Sequence, residues 1–193
     1  MNSIALLSLA CLGVWACCAS AAVAGQTTGT KPVVVIDTSK GPITLELYPD
    51  KAPITVENFL KYVDEGFYDN LIFHRVMADF MIQGGGMTDK MDEKPEKRPP
   101  IKNESRNSIS NERGTIAMAR TNNPDSATCQ FFINHKDNPD LDTLGGGYAV
   151  FGKVIEGMDV VDAIAEVSRA NRAGHGDVPV TPIYIKSAKR KGK

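Results

Sequence analysis

Phe73-His74-Arg75-Val76-Met77-Ala78-Asp79-Phe80-Met81-Ile82-Gln83-Gly84-Gly85-Gly86 is the stretch on which the fold turns. It holds two β-prone runs, Leu71 to Val76 and Phe80 to Gln83. Residues two apart in extended chain share a face. Phe73 and Arg75 are two apart, as are Met81 and Gln83, and Gln130 and Phe132 repeat the spacing later in the chain. Each piece therefore pairs one polar with one apolar group on one surface, while Ile82, Phe131 and Ile133 turn to the core. Strands of this kind lying side by side would form a mixed polar and apolar groove. The plainer alternative makes Phe80, Met81 and Phe132 ordinary core residues and Arg75 a surface cation.

Upstream, Val33 to Asp37 and Ile43 to Leu47 are β-rich runs joined by the turn composition Ser39-Lys40-Gly41-Pro42, which predicts a hairpin. Pro53 suits a first helical turn. Val56, Phe59, Leu60 and Val63 follow it at helical spacing, and Gly66 is placed to stop the segment. Downstream, Thr115 to Ala119, Gln130 to Asn134, Ala149 to Val154 and Pro182 to Ala188 are further short β-like runs, and Val160, Ile164 and Val167 suggest a second helix. Many short strands with two helices predict a mostly antiparallel sheet or closed barrel, because parallel units need a helix between most strands. Met87 to Arg113, rich in charge, Pro and Asn, reads as a long solvated surface loop.

The 193 residues, 42% hydrophobic and 23% charged, suit one globular domain. The 22 Lys+Arg against 23 Asp+Glu leave a net charge of -1, which supplies no general field for nucleic acid. Residues 1–24 carry no charged side chain and run from an apolar stretch into Ala22-Val23-Ala24, the small-x-small pattern of a signal-peptidase site. This predicts a signal peptide cleaved after Ala24, a periplasmic location and no stable membrane insertion after cleavage. Acylation at Cys11, Cys17 or Cys18 ranks second to this. Residues 25–31 read as a linker, 32–189 as the domain and 190–193 as a basic tail. Cleavage would leave Cys129 as the sole thiol of the mature chain, and its plain reading is a small buried side chain.

There is no G-x-S-x-G, G-x-x-x-x-G-K-[ST], H-E-x-x-H or paired C-x-x-C. His74, His135 and His175 are far apart in sequence and read as structural or surface residues rather than as a metal set.

Four ordered blocks carry a resemblance. They are the opening stretch; Gly114-Thr115-Ile116-Ala117-Met118-Ala119-Arg120; Ser126-Ala127-Thr128-Cys129-Gln130-Phe131-Phe132-Ile133-Asn134; and Tyr148-Ala149-Val150-Phe151-Gly152-Lys153-Val154-Ile155-Glu156-Gly157. Through them the chain, from about Val33 to Ala188, resembles the cyclophilin-type peptidyl-prolyl isomerases, and most of all their bacterial exported members. The resemblance implies a closed eight-stranded antiparallel β-barrel capped by two helices, with a groove on its outer face. Arg75 would be the catalytic cation. Phe80, Met81, Phe132 and Leu141 would hold the proline ring, with Tyr148 at the rim. Gln83 and Gln130 would position the substrate, and Ala119 and Arg120 would border its backbone. Neither metal nor cofactor is implied. The partners implied are proline-containing unfolded or extended polypeptides, met by a monomer during the folding of exported proteins. Asp140 and Tyr148 depart from the Trp and His of many eukaryotic members, which alters the groove's edge and predicts weak binding of cyclosporin.

The chemistry asks for few polar groups. Amide resonance sets a rotation barrier of roughly 18 to 20 kcal/mol. As the bond twists, the prolyl nitrogen becomes pyramidal and regains a lone pair that a guanidinium can hydrogen-bond, whereas the planar ground state offers it little. A non-catalytic module that grips proline segments is the competing reading. A hollow carrier barrel is disfavoured by the large apolar residues of the strands.

Overall fold

A computed structural model describes residues 31–95 and 98–192. The predicted signal peptide and all but the last residue of the predicted linker lie outside the described residues. The elements are, in chain order, β1 (Val33–Thr38), β2 (Gly41–Leu47), α1 (Pro53–Asp64), β3 (Leu71–Met77), β4 (Met81–Met87), β5 (Thr115–Met118), β6 (Phe131–Asn134), β7 (Val150–Glu156), α2 (Met158–Ala165), β8 (Arg169–Arg172), β9 (His175–Pro179) and β10 (Tyr184–Arg190). Eight strands close into an antiparallel barrel in the order β1-β10-β3-β4-β6-β5-β7-β2, and β8 and β9 form a separate hairpin. The eight-stranded barrel and both helices expected from the sequence are thus present. The β8–β9 hairpin was not expected. All four residues of β8 are exposed, so the strand carries no alternation to read.

Period two sorts β4, β5 and β6 into an inner and an outer face. Ile82, Phe131, Ile133, Ile116, Met118 and Phe151 join the main core with the apolar faces of α1 and α2. Phe59 of α1 packs edge-on against Phe131, with ring centroids 5.7 Å apart, and lies 5.2 Å from Phe151. Cys129 is buried in the same core. The alternate residues Met81, Phe132, Ala117 and Val150 form a second apolar cluster on the outer face, with Leu141, Met77, Phe80 and Tyr148 packed around it.

The predicted sharing of a face by Phe73 and Arg75 fails. Phe73 is in the main core, fully buried, and Arg75 points outward. The pairing runs Phe73↔Gly84 and then Arg75↔Gln83, so His74 is an extra residue on β3. Such a bulge reverses the alternation locally and re-aims the side chain that follows it.

The stretch from Met87 to Arg113 is not plain solvated chain. Its described residues form a strap over the barrel. Ile101 bridges to Ala127, Asn107 donates Nδ2 to the Val150 carbonyl at 2.8 Å, and Asn111 is buried. Glu104 caps α1 from a distance, accepting from the backbone N–H of Ile54 at 3.1 Å and of Thr55 at 2.8 Å. Ala52, the residue in the N-cap position, has no side chain for that role. At the other end of the chain, β10 runs through Arg190, which pairs with Asp64, so the first residue of the predicted tail ends the barrel.

Candidate functional site

The outer faces of five adjacent strands bring a row of side chains into register. Arg75 of β3 lies opposite Gln83 of β4, Gln83 opposite Phe132 of β6, Phe132 opposite Ala117 of β5, and Ala117 opposite Val150 of β7. The row is polar at its β3 end and apolar beyond β4. A pocket of about 120 Å³ sits on it, lined by Arg75, Phe80, Met81, Gln83, Ala119, Arg120, Phe132, Leu141 and Tyr148. Gln130, the remaining predicted site residue, lines the adjoining cavity with Gln83, Ala119 and Arg120. All ten residues singled out in the sequence therefore converge.

Arg75 is half-buried and makes no ion pair among the described residues. Its Nη2 lies 3.3 Å from the Met77 sulfur, and its guanidinium is 5.9 Å from the Phe80 ring centroid. Next to it, Gln83 donates Nε2 to Gln130 Oε1 at 3.0 Å. The glycines after Gln83 make this pair possible. A Cβ on Gly86 would fall 2.5 Å from the Gln130 Cγ, and Gly85, at φ +86, has the Phe131 and Tyr68 rings where its own Cβ would be.

The opposite wall is held by Arg120. Its guanidinium stacks 4.2 Å from the Tyr148 ring centroid and donates to the carbonyls of Leu144, Gly145 and Gly147 at 2.9 to 3.1 Å. Tyr148 in turn meets Phe132 edge-on at 5.7 Å. Asp140 is exposed on the turn before Leu141 and does not line the pocket, so of the two expected departures at the groove's edge only Tyr148 faces it.

A buried polar network beneath Phe80 and Leu141 escaped the sequence reading. Asn134 donates to Asn111 and Thr115, Asn138 donates to Asn134 at 2.8 Å and to the Phe80 carbonyl at 2.9 Å, and Asn111 donates to Asp142 at 2.8 Å. Burial disfavours the charge on Asp142, but hydrogen bonds from Asn111 and Ser110 outweigh it and hold the carboxyl below its usual range. Buried asparagines are costly unless paired, and here they fix the turn that carries Leu141.

His74, on the bulge, is 5% exposed. Burial, with help from nearby His175, pushes its imidazole down to about 4. Although far apart in sequence, His74 and His175 line one larger cavity beside the pocket. His135 accepts from the Asp79 backbone N–H at 3.0 Å and lies 3.2 Å from Asp162, so its role is structural as read.

The profile of the family "Cyclophilin type peptidyl-prolyl cis-trans isomerase/CLD" matches residues 33–190. Over 161 residues the chain is 56% identical to the peptidyl-prolyl cis-trans isomerase cyp18 of Streptomyces antibioticus, covering 81% of this chain and 96% of that protein. It is 51% identical over 160 residues to peptidyl-prolyl cis-trans isomerase B of Escherichia coli K12, covering 80% and 97%. A cyclophilin-type isomerase of Cryptosporidium parvum, solved by crystallography, superposes with a TM-score of 0.70 at 26% identity, over 84% of this chain and 99% of that one. The same parasite protein, crystallised in the presence of the dipeptide Ala-Pro, matches with the same score and identity over 83% and 99%. With a profile that spans the whole barrel and relatives that share half its residues, the chain belongs to the cyclophilin-type peptidyl-prolyl cis-trans isomerases.

Proposed function

We propose that this isomerase acts as a monomer in the periplasm on proline-containing segments of exported polypeptides, with Arg75 as its catalytic cation. The observation that carries the role of Arg75 is its setting: a guanidinium without a carboxylate partner, at the mouth of an apolar pocket. The proline ring enters between Phe80, Met81, Phe132 and Leu141, which anchors one side of the amide by burial alone. Gln83 and Gln130, already bonded to each other, meet the substrate backbone beside it, and Ala119 and Arg120 border it. Arg75 then donates to the prolyl nitrogen only as the bond twists and the lone pair localises, so its hydrogen bond favours the transition state over either planar isomer. A guanidinium keeps its charge throughout and offers several donors in a fixed fork.

Export rests on the composition of residues 1–24 and the small residues that close them. The test of catalysis is isomerisation of an Xaa-Pro tetrapeptide by wild type and Arg75→Ala. The test of location is the mass of the protein recovered from the periplasmic fraction. A mature chain beginning at Gly25 without an acyl group is expected, and recovery of the intact precursor in the cytosol alone would overturn it.

A further inference from the structure

We propose that the cavity between the β8–β9 hairpin and the barrel is a substrate subsite for a basic side chain, lysine or arginine, lying within a few residues of the proline. This rests on the isomerase reading and names a determinant of its substrate choice. The cavity measures about 610 Å³ and shares Arg75, Gln83 and Arg120 with the proline pocket, so a peptide seated in one continues into the other. Its outer wall is the hairpin tip, Gly174 to Asp177. That tip is built, not loose: Ala173 and Gly174 both have positive φ and close a two-residue turn between the paired Arg172 and His175. A Cβ on Gly174 would meet no atom within 4 Å, which leaves the mouth open to an entering side chain.

Glu93 and Asp177 are the acidic side chains of this cavity, which Arg75, Arg120 and His175 also line. Glu93 carries an exposed carboxylate with no ion pair among the described residues. Asp177 has Arg169 only at 3.9 Å, and that guanidinium already donates to the Val76 carbonyl at 3.3 Å. His74 lines the same cavity, is 5% exposed, and has an Nδ1 without a hydrogen-bond partner. Buried as it is, the imidazole stays uncharged near neutral pH and adds no repulsion. The donors of the two arginines are directed elsewhere. Arg120 is spent on backbone carbonyls, and Arg75 stands at the proline-pocket edge. An ammonium or guanidinium supplies the donors and the positive charge that the carboxylates of Glu93 and Asp177 lack.

The test is kcat/KM on hexapeptides with one Xaa-Pro bond, in which lysine, alanine or glutamate is placed in turn at each position from three before to two after the proline. At low salt one position favours lysine over alanine by about three- to tenfold, and the ratio shrinks as salt is added. In the double variant Glu93→Gln/Asp177→Asn the ratio falls to about one, while turnover of the alanine peptide reports that the variant is folded. A lysine ratio of one at every position, a preference for glutamate, or a ratio untouched by the double variant would each overturn the subsite alone. No turnover of any peptide by wild type would overturn it together with the isomerase reading.

Discussion

Arg75 on β3 and Gln83 on β4 are direct cross-strand partners on the outer face of the barrel, although Phe73, two residues before Arg75, is buried inside it. One inserted residue, His74, makes both placements possible, and Arg75, which lines the proline pocket, owes its direction to that insertion.

Arg75→Ala should cost about 3 to 4 kcal/mol in the barrier, or two to three decades in kcat/KM, by analogy with the loss of one oxyanion donor. Arg75→Lys should recover only part of this, because a single ammonium does not reproduce the fork. The readout is tetrapeptide isomerisation. Activity of the alanine variant within a factor of two of wild type would sink the assignment.

Gly86→Ala should lower activity more than stability. The new Cβ would fall 2.5 Å from the Gln130 Cγ, so the Gln130 side chain must swing off Gln83. We expect kcat/KM to fall about tenfold with a loss of unfolding free energy of no more than about 1 to 3 kcal/mol. Wild-type kinetics would show that the Gln83–Gln130 pair is dispensable.

Arg120→Ala should act mainly on binding. Without the guanidinium the Leu144 to Gly147 segment loses its carbonyl ligand and Tyr148 its stacking partner, so the pocket wall loosens. A rise in KM of about five- to twentyfold, with a smaller change in kcat, is the expected split.

Glu104→Ala should cost about 1 to 2 kcal/mol of stability, since it uncovers the first N–H groups of α1 and the Thr55 hydroxyl, which Glu104 also accepts at 2.7 Å. Chemical denaturation measures it. An unchanged midpoint would mean that water caps the helix as well as the strap does.

His74 makes stability depend on acidity. Its ordinary value of 6.5 falls to about 4 in the fold, chiefly by burial. Between these values the unfolded chain binds more protons than the folded one, so stability rises with pH. The contribution is complete above pH 6.5 and is lost as pH falls to about 4, a span worth about 3 kcal/mol. His74→Gln should flatten that part of the stability profile, and an equally steep fall in the variant would assign it to other groups.

The faces of β4 and β6 were legible because each carries an unbroken period of two, with Ile82, Phe131 and Ile133 inward and Met81 and Phe132 outward. The four ordered blocks carried the family and nine of the ten predicted site residues, with Leu141 between the third block and the fourth. The bulge at His74 was not legible, because Phe-His-Arg-Val reads equally well as regular strand. The β8–β9 hairpin has too few apolar residues to announce itself, and its Ala173-Gly174 turn lacks the usual Asn-Gly signal. The strap from Met87 to Arg113 reads as solvated chain because its polar side chains find their partners far away, as Glu104 does at α1 and Asn107 at β7.

By itself the sequence determined a mostly antiparallel sheet or barrel with two helices and the inner and outer faces of β4 and β6, because alternation and residue type are local properties. The closed barrel and the groove residues came through the resemblance of its ordered blocks to a family. Tertiary structure alone decided that Arg75 faces outward, that Gln83 meets Gln130 across 47 residues of chain, and that a hairpin walls a second cavity beside them. Each of these depends on register and on hydrogen bonds between segments distant in the chain, which form only when the strands have closed.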